Sequence, residues 1–169
     1  MVLVRRVAAL CVLALVAVSV WGVLTHARAV DEVRVVLREG GTEPRDRLLG
    51  AAGLPDYNLR LRGRGGWVDC GTFKDRSVEG GLVFEVQPPL ATFGLVELQL
   101  RENDRLDDDL LEQLPVQGSA FEGDDFRFEL RYTFEVQAGL AWFFGTPVGV
   151  LVGLGIVIAT ILSILKFQT

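Results

Sequence analysis

Between Val33 and Val136 apolar side chains return at every second position. Val33, Val35 and Leu37 alternate with Arg34, Val36 and Arg38, and Leu59 and Leu61 with Arg60 and Arg62. The same beat recurs in Leu82, Phe84 and Val86, and in Val96, Leu98 and Leu100 against Glu97, Gln99 and Arg101. It is longest from Phe126 to Val136, where Phe126, Phe128, Leu130, Tyr132, Phe134 and Val136 are interleaved with Arg127, Glu129, Arg131, Thr133 and Glu135. A period of two puts one set of side chains on a single face of an extended strand, so each run predicts a half-buried strand. Trp67 to Cys70 and Leu114 to Val116 are shorter candidates, with Pro115 suited to a sheet edge and Trp67 to the core. Gly40-Gly41, Gly63 to Gly66, Gly80-Gly81 and Pro88-Pro89 punctuate the runs as turns. Strands this short and this regularly spaced predict an all-β fold, an antiparallel eight-stranded β-sandwich.

Two connections break the spacing. One runs from Glu39 to Pro55. The other, from Asn103 to Gln113, reads as a loop carrying Asp104, Asp107, Asp108, Asp109 and Glu112. Acids so crowded repel one another unless a cation or a basic partner is near.

Outside this region the alternation gives way to uncharged runs from Val7 to Leu24 and from Leu140 to Leu165. Each compares with the roughly 20 apolar residues that cross a hydrocarbon core as a helix, so a transmembrane helix is expected at both the N-terminus and the C-terminus. The first run reads two ways. Arg5-Arg6, an apolar centre and Ala27-x-Ala29 form a secretory signal, while a centre longer than such signals usually have favours an uncleaved anchor. In the second run Trp142-Phe143-Phe144 and Lys166 are interfacial anchors, and Gly145, Gly149 and Gly153 recur every four residues as a helix-packing face. Its partner is either the first run, with the small Ala8, Ala14 and Ala17, or another subunit. Arg5, Arg6 and Lys166 put both termini in the cytoplasm of an inner membrane and the middle on the periplasmic side. The expected domains are 1–29 (anchor or signal), 30–138 (exported sandwich) and 139–169 (C-terminal span).

Charge narrows the partners. From Val30 to Leu140 there are 22 acidic and 13 basic residues, a net of −9 that argues against nucleic acid. His26 is the one histidine, which removes histidine triads and multi-histidine metal sites. Cys11 and Cys70 fall on different sides of a membrane boundary, so no internal disulfide is expected. Ser77 and Ser119 have no histidine in the middle region, and Cys70 has no base beside it.

The middle region resembles the C-two family of calcium- and lipid-binding sandwiches. Leu54-Pro55-Asp56-Tyr57-Asn58-Leu59-Arg60-Leu61 is similar to the family's Asp-Pro-Tyr-Val strand opening, with the proline displaced, and Gly81 to Val86 to its Phe-x-Phe strand. Leu98 to Asp104, followed by Asp108-Asp109-Leu110-Leu111, is similar to the strand and Asp-x-Asp loop that supply calcium ligands, with Glu102 in the first Asp position. The resemblance implies Asp46 or Asp56 together with Glu102, Asp104 and Asp109 as metal ligands, calcium being the one cofactor it suggests. Hard cations take six to eight oxygens from such loops.

These readings point to a non-catalytic assembly subunit of a bacterial membrane protein complex, energy-transducing (photosynthetic or respiratory) or part of an envelope machine. Its expected partners are other membrane subunits and the bilayer. The alternatives are a calcium-responsive lipid- or protein-binding module and, more distantly, an exported hydrolase using paired carboxylates.

Overall fold

The computed structural model of the chain describes residues 2–44, 54–103 and 108–167. They fall into two compact units: a sandwich from Ala29 to Thr133, and a helical unit made of the chain up to Arg28 and from Phe134 onward.

The sandwich has eight strands: β1 (Arg28–Leu37), β2 (Tyr57–Gly63), β3 (Gly66–Phe73), β4 (Leu82–Ala91), β5 (Glu97–Asn103), β6 (Asp108–Pro115), β7 (Ala120–Glu122) and β8 (Phe126–Phe134). One sheet runs β4-β1-β8-β7 and the other β3-β2-β5-β6. The alternation read from sequence becomes the core: Val33 and Val35, Leu59 and Leu61, Phe84 and Val86, Leu98 and Leu100, Phe126 and Phe128 all face inward and are buried. Tyr57 meets Phe126 edge-on at 6.0 Å between ring centres, and Phe73 meets Phe84 at 4.9 Å. Burial of aliphatic and aromatic side chains on this scale is the main favourable contribution to such a fold.

Three details depart from expectation. The acidic stretch read as a loop contributes a strand: Asp108–Pro115 is β6, paired with β5 from Glu97↔Pro115 to Asn103↔Asp108. An edge strand pairs on one side only, so Pro115 sits on it without costing a ladder bond, and of its described acids Asp109 is exposed and Glu112 buried. Trp67 is not core. It lies near the start of β3, another edge, and is 42% exposed. The long strand ends early, because Glu135 caps a helix by accepting from the Gln137 backbone N–H.

The fold class needs a larger correction, since the two flanking transmembrane helices are not present as such. Among the described residues no single helix is long and apolar enough to cross a membrane. Among the described residues α1 (Val2–His26) contributes the shorter apolar helix Val12–His26, against the roughly 20 residues a span needs. The C-terminal run divides into α2 (Val136–Phe144) and α3 (Pro147–Phe167), and the described parts of the two are bent by 91°. The cause is local. Thr146 Oγ1 accepts from the Gly149 N–H at 3.1 Å, an N-cap bond, and Pro147 takes the first helical position, where its missing N–H costs nothing.

Candidate functional site

Register brings one set of loops to the end of the sandwich where β1, β3 and β5 finish and β2, β4 and β8 start. Two carboxylates organise it. Glu43 accepts from the Tyr57 hydroxyl at 3.0 Å, the Ser77 hydroxyl at 2.9 Å and the Val78 N–H at 2.7 Å, tying the segment after β1 to two other loops. Burial, and then the Glu43 charge, push the Tyr57 phenol well above its usual range, so it stays a neutral donor. Glu112, on β6 of one sheet, reaches the β7–β8 turn of the other and accepts from the backbone N–H groups of Asp125 and Phe126 through Oε1, at 2.8 and 3.0 Å. Asp125 continues the chain. Its carbonyl accepts from the Arg38 N–H at 2.8 Å and its side chain from the Thr42 N–H at 2.9 Å. Glycine is required at Gly41, where a Cβ would meet the Asp125 carbonyl, and at Gly123 a Cβ would displace the Glu112 carboxylate.

Three of the five proposed metal-ligating positions come to this same end. The Asp56 carbonyl accepts from the Asn103 N–H and its Oδ1 from the Asp75 N–H, both at 2.8 Å. Glu102 lies opposite Tyr57 on one side and Asp109 on the other. Asp46 and Asp104 lie outside the described residues. Among the described residues no group of three or more His, Cys, Asp or Glu side chains is placed to hold a metal ion.

At the opposite end are the β2–β3 turn and the β4–β5 connection with its single 3-10 turn, Thr92–Gly94. Two arginines of β2 are engaged: Arg60 with Asp69 at 3.6 Å and Arg62 with Glu97 at 3.2 Å. Arg62 also lies over the Trp67 ring at 5.9 Å from its centre, and Arg64 over the Phe93 ring at 4.7 Å. Beside them Val96 is exposed. Asn58 anchors the hairpin, donating to Asp69 and to the Gly71 carbonyl at a register shift between Asn58 and Arg60.

A recess of about 280 Å³ opens between the edge strands β3 and β4, lined by Cys70, Thr72, Phe73, Val83 and Glu85. Burial first, and the Asp69 charge second, push the Cys70 thiol up to about 12, so it is protonated at neutral pH and a poor nucleophile.

Within the helical unit the crossing of α1 and α2 is close. His26 stacks on Trp142 with ring centres 3.6 Å apart, a Cβ at Gly22 would press on Trp142, and one at Gly139 would run into the Val23 carbonyl. The three glycines read as a face serve different positions. Gly145 is the C-cap of α2, Gly149 lies against the Phe143 carbonyl, and Gly153 lies beside the Phe144 ring. Leu13, Val18, Trp21, Leu151, Leu154 and Ile156 are largely exposed.

Sequence reasoning missed Glu43, Glu112 and Asp125. The first had a signal in Tyr57, a phenol that must find a partner when buried, but nothing in the sequence names the partner.

No family model matches the chain, and no curated protein matches it. Among solved structures it is similar to human GIVD cytosolic phospholipase A2, solved with methyl gamma-linolenyl fluorophosphonate and terbium chloride, with a TM-score of 0.31 and 17% identity. The match covers 62% of this chain and 18% of that one, so the chain spans under a fifth of its neighbour's length. A likeness of this size assigns neither fold family nor activity.

Proposed function

We propose that this chain is a non-catalytic, membrane-attached assembly subunit: a C-two-like sandwich that docks on partner proteins, carried by an apolar helical unit. One observation carries the reading. The sandwich packs its inward apolar side chains into a core and exposes only scattered ones such as Trp67 and Val96, whereas the helical unit leaves contiguous ones such as Leu151, Leu154, Val157 and Ile158 exposed on α3. An apolar surface that large is covered in the working protein, by lipid or by other apolar helices. A helix pair joined at a right angle suits attachment within one side of a membrane or against neighbouring helices. The sandwich supports a docking role through its hydrogen-bonded loop end and its edge strands, each paired on one side, and its cysteine is in the wrong protonation state for nucleophilic chemistry.

The test is extraction and flotation of the full chain from its native membrane. It is expected to float with vesicles, to resist high-salt washing and to leave mild detergent in an assembly larger than one copy. Recovery as a soluble monomer without detergent overturns attachment, and a monodisperse monomer in mild detergent overturns the assembly role.

A further inference from the structure

We propose that the outer edge of β4 takes up an extended segment of a different protein as an added strand, with a basic side chain opposite Glu85; this rests on the partner docking argued above and makes it specific. Four described strands lie at sheet edges, and three of them are blunted. β7 is three residues long. β6 carries Asp108, Asp109 and Glu112 and ends at Pro115. β3 is irregular at Gly71, which has a φ of +104° and donates its N–H to the Asp69 carboxylate at 2.8 Å, beside the slip in pairing between Asn58 and Arg60. Shortness, charge, proline and bulges are the devices that keep an edge from pairing. From Leu82 to Glu85, β4 holds one unbroken register with β1 and has no glycine, no proline and a single charge.

The side chains along that edge set the chemistry of the added strand. Leu82, Phe84 and Val86 are buried, while Val83, Glu85 and Gln87 are exposed. The recess between β3 and β4 opens beside them, over the edge-on pair of Phe73 and Phe84, and of the residues lining it Glu85 alone is charged. Glu85 stands directly opposite Glu32 of β1, a pairing of like charges. Arg131 on β8 answers Glu32 at 2.9 Å and Asp31 at 3.2 Å, whereas Glu85 accepts from the neutral Gln87 amide at 2.7 Å. Arg34, also on β1, is opposite Val83 and lies beside Gly81. Lys74 and Arg76, beyond the end of β3, do not line the recess. The row Arg131, Glu32, Glu85 therefore ends in an acid at the open edge. A lysine or arginine on an added strand supplies the opposite charge that β1 does not, the β4 backbone supplies the ladder bonds, and alternate apolar side chains of the newcomer fill the recess.

A second copy of this chain fits that edge poorly. Two-fold pairing of β4 with itself, kept in phase so that core-facing residues stay on one face, sets Glu85 opposite Val83, Glu85, Gln87, Pro89 or Ala91. None of these is a base, and one is a second carboxylate.

The full chain in non-ionic detergent is incubated with a short synthetic peptide alternating valine and lysine, and backbone amide exchange is followed over residues 82–87. Two control peptides carry glutamate in place of lysine, or proline in place of the central valine, which keeps the charge but cannot continue a strand. Exchange slowed several-fold by the first peptide alone is the expected result. The slowing is lost in Glu85→Lys, which melts no lower than the parent because the change removes the like pair with Glu32, and Glu85→Gln loses part of it. Equal slowing by the proline peptide shows attraction without strand addition and overturns the proposal. No slowing with any peptide overturns it too, and in both cases an assembly recovered in mild detergent leaves the subunit reading intact. Protection that rises with the concentration of the chain itself overturns the choice of a different protein in favour of a second copy. Extraction as a monodisperse monomer overturns the docking role, and the contact with it.

Discussion

In the sandwich, Leu59, Leu61, Leu98 and Leu100 are fully buried against Phe84 and Phe128, whereas in the helical unit Leu13, Trp21, Leu151 and Ile156 lie mostly open. Both units are rich in the same residue types. The difference lies in period. Alternation by two gives each strand one polar face to show and one apolar face to hide, and two such sheets hide each other. A run that is apolar on every side has no face to show, so a few helices made of it leave apolar side chains exposed however closely they cross. The sandwich thus covers its own apolar faces, and the helical unit leaves much of its apolar surface open.

The largest test of that contrast is a matched pair of truncations. Phe128→Ala empties the middle of the core and costs about 3–5 kcal/mol in denaturant unfolding of the full chain. Leu151→Ala, 69% exposed, shifts the same transition by less than about 0.5 kcal/mol. Comparable losses would mean that α3 is packed against the protein and not left for lipid or partner.

A smaller effect probes a tightly packed crossing within the helical unit. Gly139→Leu drives a side chain into the Val23 carbonyl and costs about 1–3 kcal/mol of local stability. Because His26 and Trp142 stack at that crossing, the readout is a change in tryptophan emission that Leu140→Ala does not produce. No change would show that α1 and α2 are held together by something other than this approach.

How much of this was legible in the sequence follows the same division. The sandwich strands could be read because Val33, Leu59, Leu98 and Phe128 each repeat at a period that burial on one face dictates. The helix bend was legible too and went unread: Thr146-Pro147 is an N-cap followed by a first-turn proline, a helix start inside what composition alone makes a single span. Trp67 was misplaced because aromatic character says nothing about whether a strand lies at an edge. The carboxylate contacts were out of reach for a different reason. Glu112 and Phe126 are joined across two sheets, and no local pattern records which acid will cross.

That crossing gives the smallest and most discriminating test, because it asks whether the sandwich end is held by charge or only by hydrogen bonding. Glu112 is 7% exposed. Desolvation pushes its carboxyl above the usual range, against the lowering effect of the Asp125 and Phe126 N–H groups, and the neighbouring Asp124 and Asp125 charges add to the rise. A raised carboxyl pKa means that the folded protein holds this proton more tightly than the unfolded chain does. Ionising Glu112 therefore costs stability above the folded pKa, and that cost disappears as pH falls below the unfolded value. Glu112→Gln keeps an oxygen for both N–H groups and removes the charge. Its melting temperature is expected to exceed that of the parent at neutral pH by the equivalent of under about 1 kcal/mol, and the gap to close on acidification through the carboxyl range. If the gap instead widens as pH falls, or if the variant is less stable at neutral pH, the ionised carboxylate is the form that clamps the β7–β8 turn, and the acidic end is stabilised by its charge.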